Sequence, residues 1–312
     1  MKRIWLPGLV IIIIVAITIG ISYKQSNLNL AVPSKTTVIV SLPLLKDIVR
    51  EIGGDEVIVQ SIIEGPSCNH HYEPTTGNLK QVAKSSLFVK VGLDFDQWVD
   101  KLIKNAGSPN LMVIDAAAGI NLINENEEAE QEHEPHHEEE ESKHNHGSVN
   151  PHYWGNPANI KIVAQNILNG LIKIKPEQKE VFTANYNQYI TKVDNTIAEL
   201  QAKVNSLPNK TIVSYSAAFH YFYEFFGFNC LATVEDTCEQ EISARRLTEV
   251  AKIIKQHQVK IVVGEAVYPN LPRNLTAATG TDLVLLWPAT DESGNYLETL
   301  KVNVEKLVTA LK

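Results

Sequence analysis

The chain has 312 residues, 44% apolar and 21% charged, a composition and length that point to two ordinary globular cores. Its formal charge of −8 is local: ten glutamates and one lysine between Asn121 and Val149 contribute −9, which leaves the remainder at +1. With the body nearly neutral, neither a nucleic-acid-binding surface nor a polybasic membrane face is implied.

The N-terminus reads Met1-Lys2-Arg3 followed by an uncharged apolar run from Ile4 to Ile21. A basic start before such a run is an export signal, either cleaved or retained as a membrane anchor, so residues 1–35 are expected to direct the body out of the cytoplasm. No cysteine follows to accept a lipid.

From Thr36 the pattern alternates. Strands are expected at Thr37–Val40, Val57–Ile62, Leu87–Val91 and Leu111–Ile114, with helices at Leu44–Ile52, Leu79–Lys84, Phe95–Asn105 and Pro157–Ile174. Glu177 to about Ser206 reads as one long helix, because Tyr186, Ile190, Val193, Ile197, Leu200 and Val204 recur at three- and four-residue spacing. The alternation then restarts with strands Thr211–Ser214, Leu231–Val234, Lys260–Val263 and Leu283–Leu286. Helices Ala218–Phe226, Ala244–His257, Arg273–Thr279 and Leu297–Leu311 fall between and after them.

Such alternation predicts an α/β fold of two similar parallel-sheet lobes joined by one long rigid helix. The lobes are expected at 36–176, carrying an acidic loop at 121–149, and at 208–312, with residues 177–207 as the link. Ligands in such sheets bind beyond the carboxyl ends of the strands. His70, Ser216, Glu235, Asp236 and Glu265 all fall in those loops.

Two histidine motifs carry the chemistry. Cys68-Asn69-His70-His71-Tyr72-Glu73-Pro74-Thr75 is answered about eighty residues later by Asn150-Pro151-His152-Tyr153-Trp154. Neutral imidazole is the commonest side-chain ligand for zinc and similar ions. Between the motifs His133, His136, His137, His144 and His146 lie among glutamates. That stretch reads as a disordered, solvated tract that gathers metal weakly. His133-Glu134-Pro135-His136-His137 matches the zinc-protease pattern only in letters, since that motif needs a helix and proline opposes one. No phosphate-binding glycine loop or nucleophile elbow is present. Of the three cysteines, Cys230 and Cys238 bracket an extended segment about 25 Å long, too far for a disulfide unless it turns back. Pairing of Cys68 with Cys238 stays open.

The chain resembles the substrate-binding proteins of ATP-binding-cassette importers for zinc and manganese. The resemblance runs from Thr36 to Leu311. It rests on Ser41-Leu42-Pro43, on Ile52-Gly53-Gly54-Asp55, on His70 to Thr75, on Leu93 to Trp98, and on Pro151-His152-Tyr153-Trp154 with Asn156-Pro157. It implies one metal held between the lobes, with His70 rather than His71 and with His152 as first-lobe ligands. The third and fourth ligand positions of the family fall on Ser216 and Trp287, neither of which is an ordinary metal donor. His220, one helical turn past Ser216, a carboxylate from Glu265 or Asp236, or a thiolate from Cys68 or Cys238 is expected to complete the site.

The resulting expectation is an exported, monomeric, non-enzymatic protein. It captures Zn2+, with Mn2+ or copper as alternatives, and passes it to a membrane permease. Imidazole coordinates only when neutral, so affinity is expected to fall as pH drops through roughly 6–7. The rival reading is a zinc-dependent hydrolase using His70 and His152 with a coordinated water, and a third is a diverged relative that binds another ligand.

Overall fold

The computed structural model describes residues 35–65, 72–123, 149–235 and 242–312. In the first lobe β1 (Thr36–Val40), β2 (Val57–Ser61), β3 (Leu87–Lys90) and β4 (Met112–Asp115) form one sheet in the order β2-β1-β3-β4. Every neighbouring pair is parallel. Val38, Ile39, Val40, Leu87, Phe88 and Val89 are fully buried, as strands covered by helices on both faces require. The covering helices are α1 (Pro43–Gly53), α2 (Thr76–Ala83), α3 (Trp98–Ala106) and α4 (Pro157–Ile174). Proline in the first turn starts α1 and α4, where a missing N–H costs nothing.

The second lobe repeats the plan. Strands β5 (Thr211–Ser216), β6 (Asn229–Glu235), β7 (Ile261–Glu265) and β8 (Asp282–Leu286) pair in parallel in the order β6-β5-β7-β8. In both sheets the lobe's first strand lies between its second and third. Between the lobes runs α5, Lys179–Asn205, 27 residues long and therefore about 40 Å from end to end. Helices α6 (His220–Phe226), α7 (Ala244–His257), α8 (Arg273–Thr279) and α9 (Tyr296–Leu311) follow the second-lobe strands in turn.

The periodicity places the start of α5 at Glu177, but Pro176–Gln178 forms a 3-10 turn and the regular helix begins after it. Phe182, Tyr189, Val193, Leu200 and Val204 are its buried stripe. It packs on α1 and α4 of the first lobe and on α9 of the second. One continuous apolar cluster consequently includes residues of both sheets, α5 and α9, while a smaller cluster around Val213, Val262 and Ile254 belongs to the second lobe alone.

One expected helix starts later than its apolar pattern suggests. The stretch from Phe95 does not enter a helix until Trp98, because Asp96 turns back on the chain. Its Oδ2 accepts from the Val91 N–H at 2.7 Å and its Oδ1 from the Gly92 N–H at 3.0 Å. To make that turn Leu93 and Asp94 take φ values of 52° and 60°, a region that costs non-glycine residues about 1–2 kcal/mol each. The cost is tolerated at the rim of the candidate site, where the next residue, Phe95, is put to use.

Among the described residues no helix is long and apolar enough to cross a membrane. The apolar run from Ile4 to Ile21 lies outside those residues.

Candidate metal centre

His152 sits on the short segment between the acidic tract and α4, and its position is set by the residues immediately before it. In Asn150-Pro151-His152 the proline fixes the middle φ, and the Asn150 side chain folds forward onto its own chain as an Asx turn. Asn150 Oδ1 accepts the His152 backbone N–H at 2.9 Å. The same oxygen lies 2.9 Å from His152 Nδ1. On its other side Asn150 Nδ2 donates to the Ala217 carbonyl at 3.0 Å.

These three contacts fix the proton on the histidine. A backbone N–H can only donate and a carbonyl can only accept, so the Asn150 amide has one permitted orientation. Its oxygen faces the imidazole, and Nδ1 must therefore carry the hydrogen. In the neutral imidazole Nε2 is then the electron-pair donor, which is the form a metal ion requires. Asn150 is fully buried, so water does not compete for these bonds.

Aromatic edges fix the ring plane. Phe95 meets the His152 ring edge-on with centroids 5.6 Å apart, and Trp154 meets it at 5.2 Å. Phe95 and Trp154 are themselves perpendicular at 5.2 Å. Contacts of this kind contribute about 0.5–1.5 kcal/mol each.

The segment that carries His152 is bonded into the second lobe as well as the first. Tyr153 Oη donates to the Val91 carbonyl at 3.0 Å. Trp154 Nε1 donates to the Pro288 carbonyl at 2.7 Å, and the Trp154 carbonyl accepts from Tyr296 Oη at 2.7 Å. Tyr221 Oη donates to the Asn150 carbonyl at 3.2 Å and accepts from the Ile123 N–H at 2.9 Å. The backbones approach closely enough that a Cβ on Gly155 would lie 3.0 Å from the Phe222 nitrogen. Further along the junction Asp47 Oδ2 accepts from the Tyr296 N–H at 2.9 Å, which ties α1 to the start of α9. Burial pushes the Asp47 carboxyl up to about 6, an effect that this N–H opposes and Glu51 reinforces.

On the second-lobe side the sheet brings its carboxyl ends together. Ser216 is paired with Glu235 on β6, and Glu265 with Leu286 on β8. The β5–β7 register, Ser214 beside Val263, continues to place Ser216 alongside Glu265. The Ser216 hydroxyl accepts from the Ala218 N–H at 3.2 Å and donates to the Glu265 carboxylate, whose proton affinity burial raises and this hydrogen bond lowers. Trp287 leaves β8 with its backbone clamped: its N–H donates to Asn303 Oδ1 at 3.0 Å and its carbonyl accepts from Asn303 Nδ2 at 2.8 Å. His220, the first residue of α6, has Nε2 2.9 Å from Thr233 Oγ1 on β6.

His70, Cys68, Asp236 and Cys238 lie outside the described residues, as do His133, His136, His137, His144 and His146. The chain just past the His70 loop is well anchored. Tyr72 packs on Trp98 with centroids 5.0 Å apart, and Thr75 caps α2 through Asn78 in a capping box. Among the described residues no three His, Cys, Asp or Glu side chains gather closely enough to hold a metal ion by themselves.

Two residues central to this geometry carry no role in the sequence pattern. Asn150 stands there only as the first residue of the second histidine motif, and Tyr221 only as one of several aromatic residues in its helix.

Two repeated parallel-sheet lobes, a spanning helix and a histidine presented at their junction define a two-lobed binding-protein architecture. The family described as zinc-uptake complex component A, periplasmic, matches residues 38–310, and the chain belongs to it. This is a family of transport components and not of enzymes, so the hydrolase reading is set aside. The manganese ABC transporter substrate-binding lipoprotein PsaA of Streptococcus mitis is 23% identical over 97% of this chain and 98% of its own length. The zinc-binding protein AdcA of Streptococcus pyogenes serotype M3 is 25% identical over 81% of this chain and 50% of its own. Among solved structures, the crystal structure of ZnuA superposes with a TM-score of 0.77 at 22% identity, covering 89% of this chain and all of that one. The Mn-bound periplasmic metal binding protein of Candidatus Liberibacter asiaticus gives 0.73 at 20% identity, with the same coverage. These likenesses establish the fold.

Proposed function

We propose that this chain captures a divalent transition metal outside the cytoplasm and delivers it, as cargo, to the permease of an ATP-binding-cassette importer. The observation that carries the reading is the His152 imidazole at the lobe junction, held by buried Asn150 in the tautomer that offers Nε2 to a metal. Family membership supports the transport role, and the relatives named above are manganese- and zinc-binding proteins.

Zinc is the proposed metal and manganese the alternative. Imidazole donors favour zinc over manganese in the ordinary affinity order of divalent ions. His70 is the second first-lobe ligand. From the second lobe Glu265 is the proposed completing donor. It ends β7 half-buried, with the Ser216 hydroxyl donating to it, and a bound cation would offset the burial of its charge. The protein acts as a monomer, with lobes at 36–176 and 208–312 around the link 177–207. Residues 1–35 export the chain and either leave it or anchor it, and the histidine-rich tract gathers metal at low affinity.

The test is a competition titration of the purified chain with zinc, then manganese, against a chromophoric chelator. One tight zinc site is expected, weakened roughly 100-fold by His70→Ala or His152→Ala and by a smaller factor by Glu265→Gln. Undiminished zinc affinity in both histidine variants would refute the reading. Undiminished affinity in Glu265→Gln alone would move the second-lobe donor to His220, Asp236 or Cys238.

A further inference from the structure

We infer that Asn150 is a positioning residue with two separable duties: it sets the tautomer of the metal ligand, and it ties that ligand to the second lobe. The inference rests on the metal-capture reading. Its basis is the division of one amide between two partners on opposite sides of the junction. The oxygen takes both His152 N–H groups, backbone and Nδ1, each at 2.9 Å. The nitrogen reaches the Ala217 carbonyl at 3.0 Å, in the turn directly after Ser216, where β5 meets the candidate site.

The two duties can be separated by substitution. As a carboxylate, aspartate offers an acceptor to the histidine but no hydrogen to Ala217. Alanine offers neither. In water a neutral imidazole exchanges its proton between the two nitrogens, and an acceptor beside Nδ1 removes that freedom. Outer-shell partners of this kind typically govern metal affinity by about 10–100-fold.

The second duty makes the ligand's setting sensitive to the second lobe. The Ala217 carbonyl lies in the 3-10 turn Ala217–Phe219 that leads into α6. The same helix supplies Tyr221, which bonds the Asn150 carbonyl. A displacement of that turn pulls on Asn150 from both its side chain and its backbone. His152 is thereby addressed by a lobe to which it does not belong in sequence.

The experiment compares Asn150→Ala, Asn150→Asp and His152→Ala in the full-length protein, with zinc alone as the probe. Three measurements are made: long-range proton–nitrogen NMR of 15N-labelled histidine, zinc competition, and amide exchange over residues 216–221. The His152 signals are assigned by their loss in His152→Ala. The parent protein should show a protonated Nδ1 and a pyridine-like Nε2. Asn150→Ala should lose that signature and bind zinc about 10–100-fold more weakly. Asn150→Asp should keep the protonated-Nδ1 signature and lose less zinc affinity than Asn150→Ala, yet exchange faster over 216–221. That variant also serves if the alanine protein fails to fold.

An Asn150→Ala protein with an unchanged imidazole signature and unchanged zinc affinity overturns the first duty. Parental exchange rates over 216–221 in Asn150→Asp overturn the second. Unaltered zinc affinity in His152→Ala overturns instead the metal reading beneath them.

Discussion

Asp47 offers a measurable test of how the two lobes are joined. Its carboxylate accepts the Tyr296 N–H at the first turn of α9, and two opposing effects act on its charge. A carboxylate at a helix N-terminus gains about 0.3–1 kcal/mol from the aligned peptide dipoles. Burial works against it, and the net result is a pKa raised from an ordinary 3.8 to about 6. At about 1.4 kcal/mol for each tenfold change in proton affinity, that rise corresponds to about 3 kcal/mol. Solvent at the open edge of the group reduces the expected figure to about 2 kcal/mol.

The sign follows from which state holds the proton more tightly. The folded protein does, so ionising Asp47 opposes folding. The penalty is absent below about pH 4, grows as pH rises through the interval to about 6, and is complete above it. An asparagine at this position would keep an oxygen for the Tyr296 N–H and remove the charge. Urea unfolding of Asp47→Asn and the parent, followed by tryptophan fluorescence, should give equal stabilities near pH 4. At pH 7.5 the variant should be the more stable by about 2 kcal/mol. A difference that does not vary with pH would refute the burial argument. A less stable variant at pH 7.5 would show that the helix terminus outweighs burial.

Three further outcomes are expected. Gly155→Ala places a Cβ 3.0 Å from the Phe222 nitrogen and 3.3 Å from the Tyr221 Cβ, so the junction must widen by a few tenths of an ångström. The expected cost is about 1–3 kcal/mol in urea unfolding. Tyr189→Phe removes a buried hydroxyl that has no partner among the described residues and should raise stability by about 1 kcal/mol, read as a higher denaturation midpoint. Deleting residues 125–146 should leave the proposed tight metal site intact and lower only the weak-site stoichiometry measured by equilibrium dialysis; loss of the tight site would contradict a gathering role.

Much of the fold was legible because its signals are local. Pro157 and the apolar periodicity after it marked α4 from first residue to last, and the spacing of Val193, Leu200 and Val204 marked the long helix. Boundaries slipped where a local side-chain bond or backbone pairing overrode the apolar pattern. The apolar residues Phe95 and Val99 fit a helical period, but Asp96 bonded to Val91 and Gly92 holds the first of them in a turn. The strand ends show the same effect. The strand expected at Thr211–Ser214 runs on to Ser216, and the one expected at Lys260–Val263 runs on to Glu265, because polar residues at a sheet's carboxyl edge pair as readily as apolar ones do.

The candidate site was half legible for a similar reason. His152 is conspicuous in sequence because histidine, proline and tryptophan are informative neighbours. The bonds from its segment to Ala217, Pro288 and Tyr296 join residues 67–142 positions apart, and backbone carbonyls leave no compositional trace. Nothing in the letters around Ala217 announces that its oxygen helps to hold a histidine's proton in place.

The bonding of the His152 segment also bears on how such a protein can be divided. A chain cut near Ser206 would separate two sheets that each look self-sufficient, but it would not yield two half-strength binders. The fragment bearing His152 would lose the acceptors and donors supplied by Ala217, Pro288, Tyr221 and Tyr296, and the segment that presents the imidazole would lose its second-lobe anchors although Asn150 would still face the ring. Mixing the two fragments should therefore restore zinc affinity as a bimolecular, concentration-dependent event.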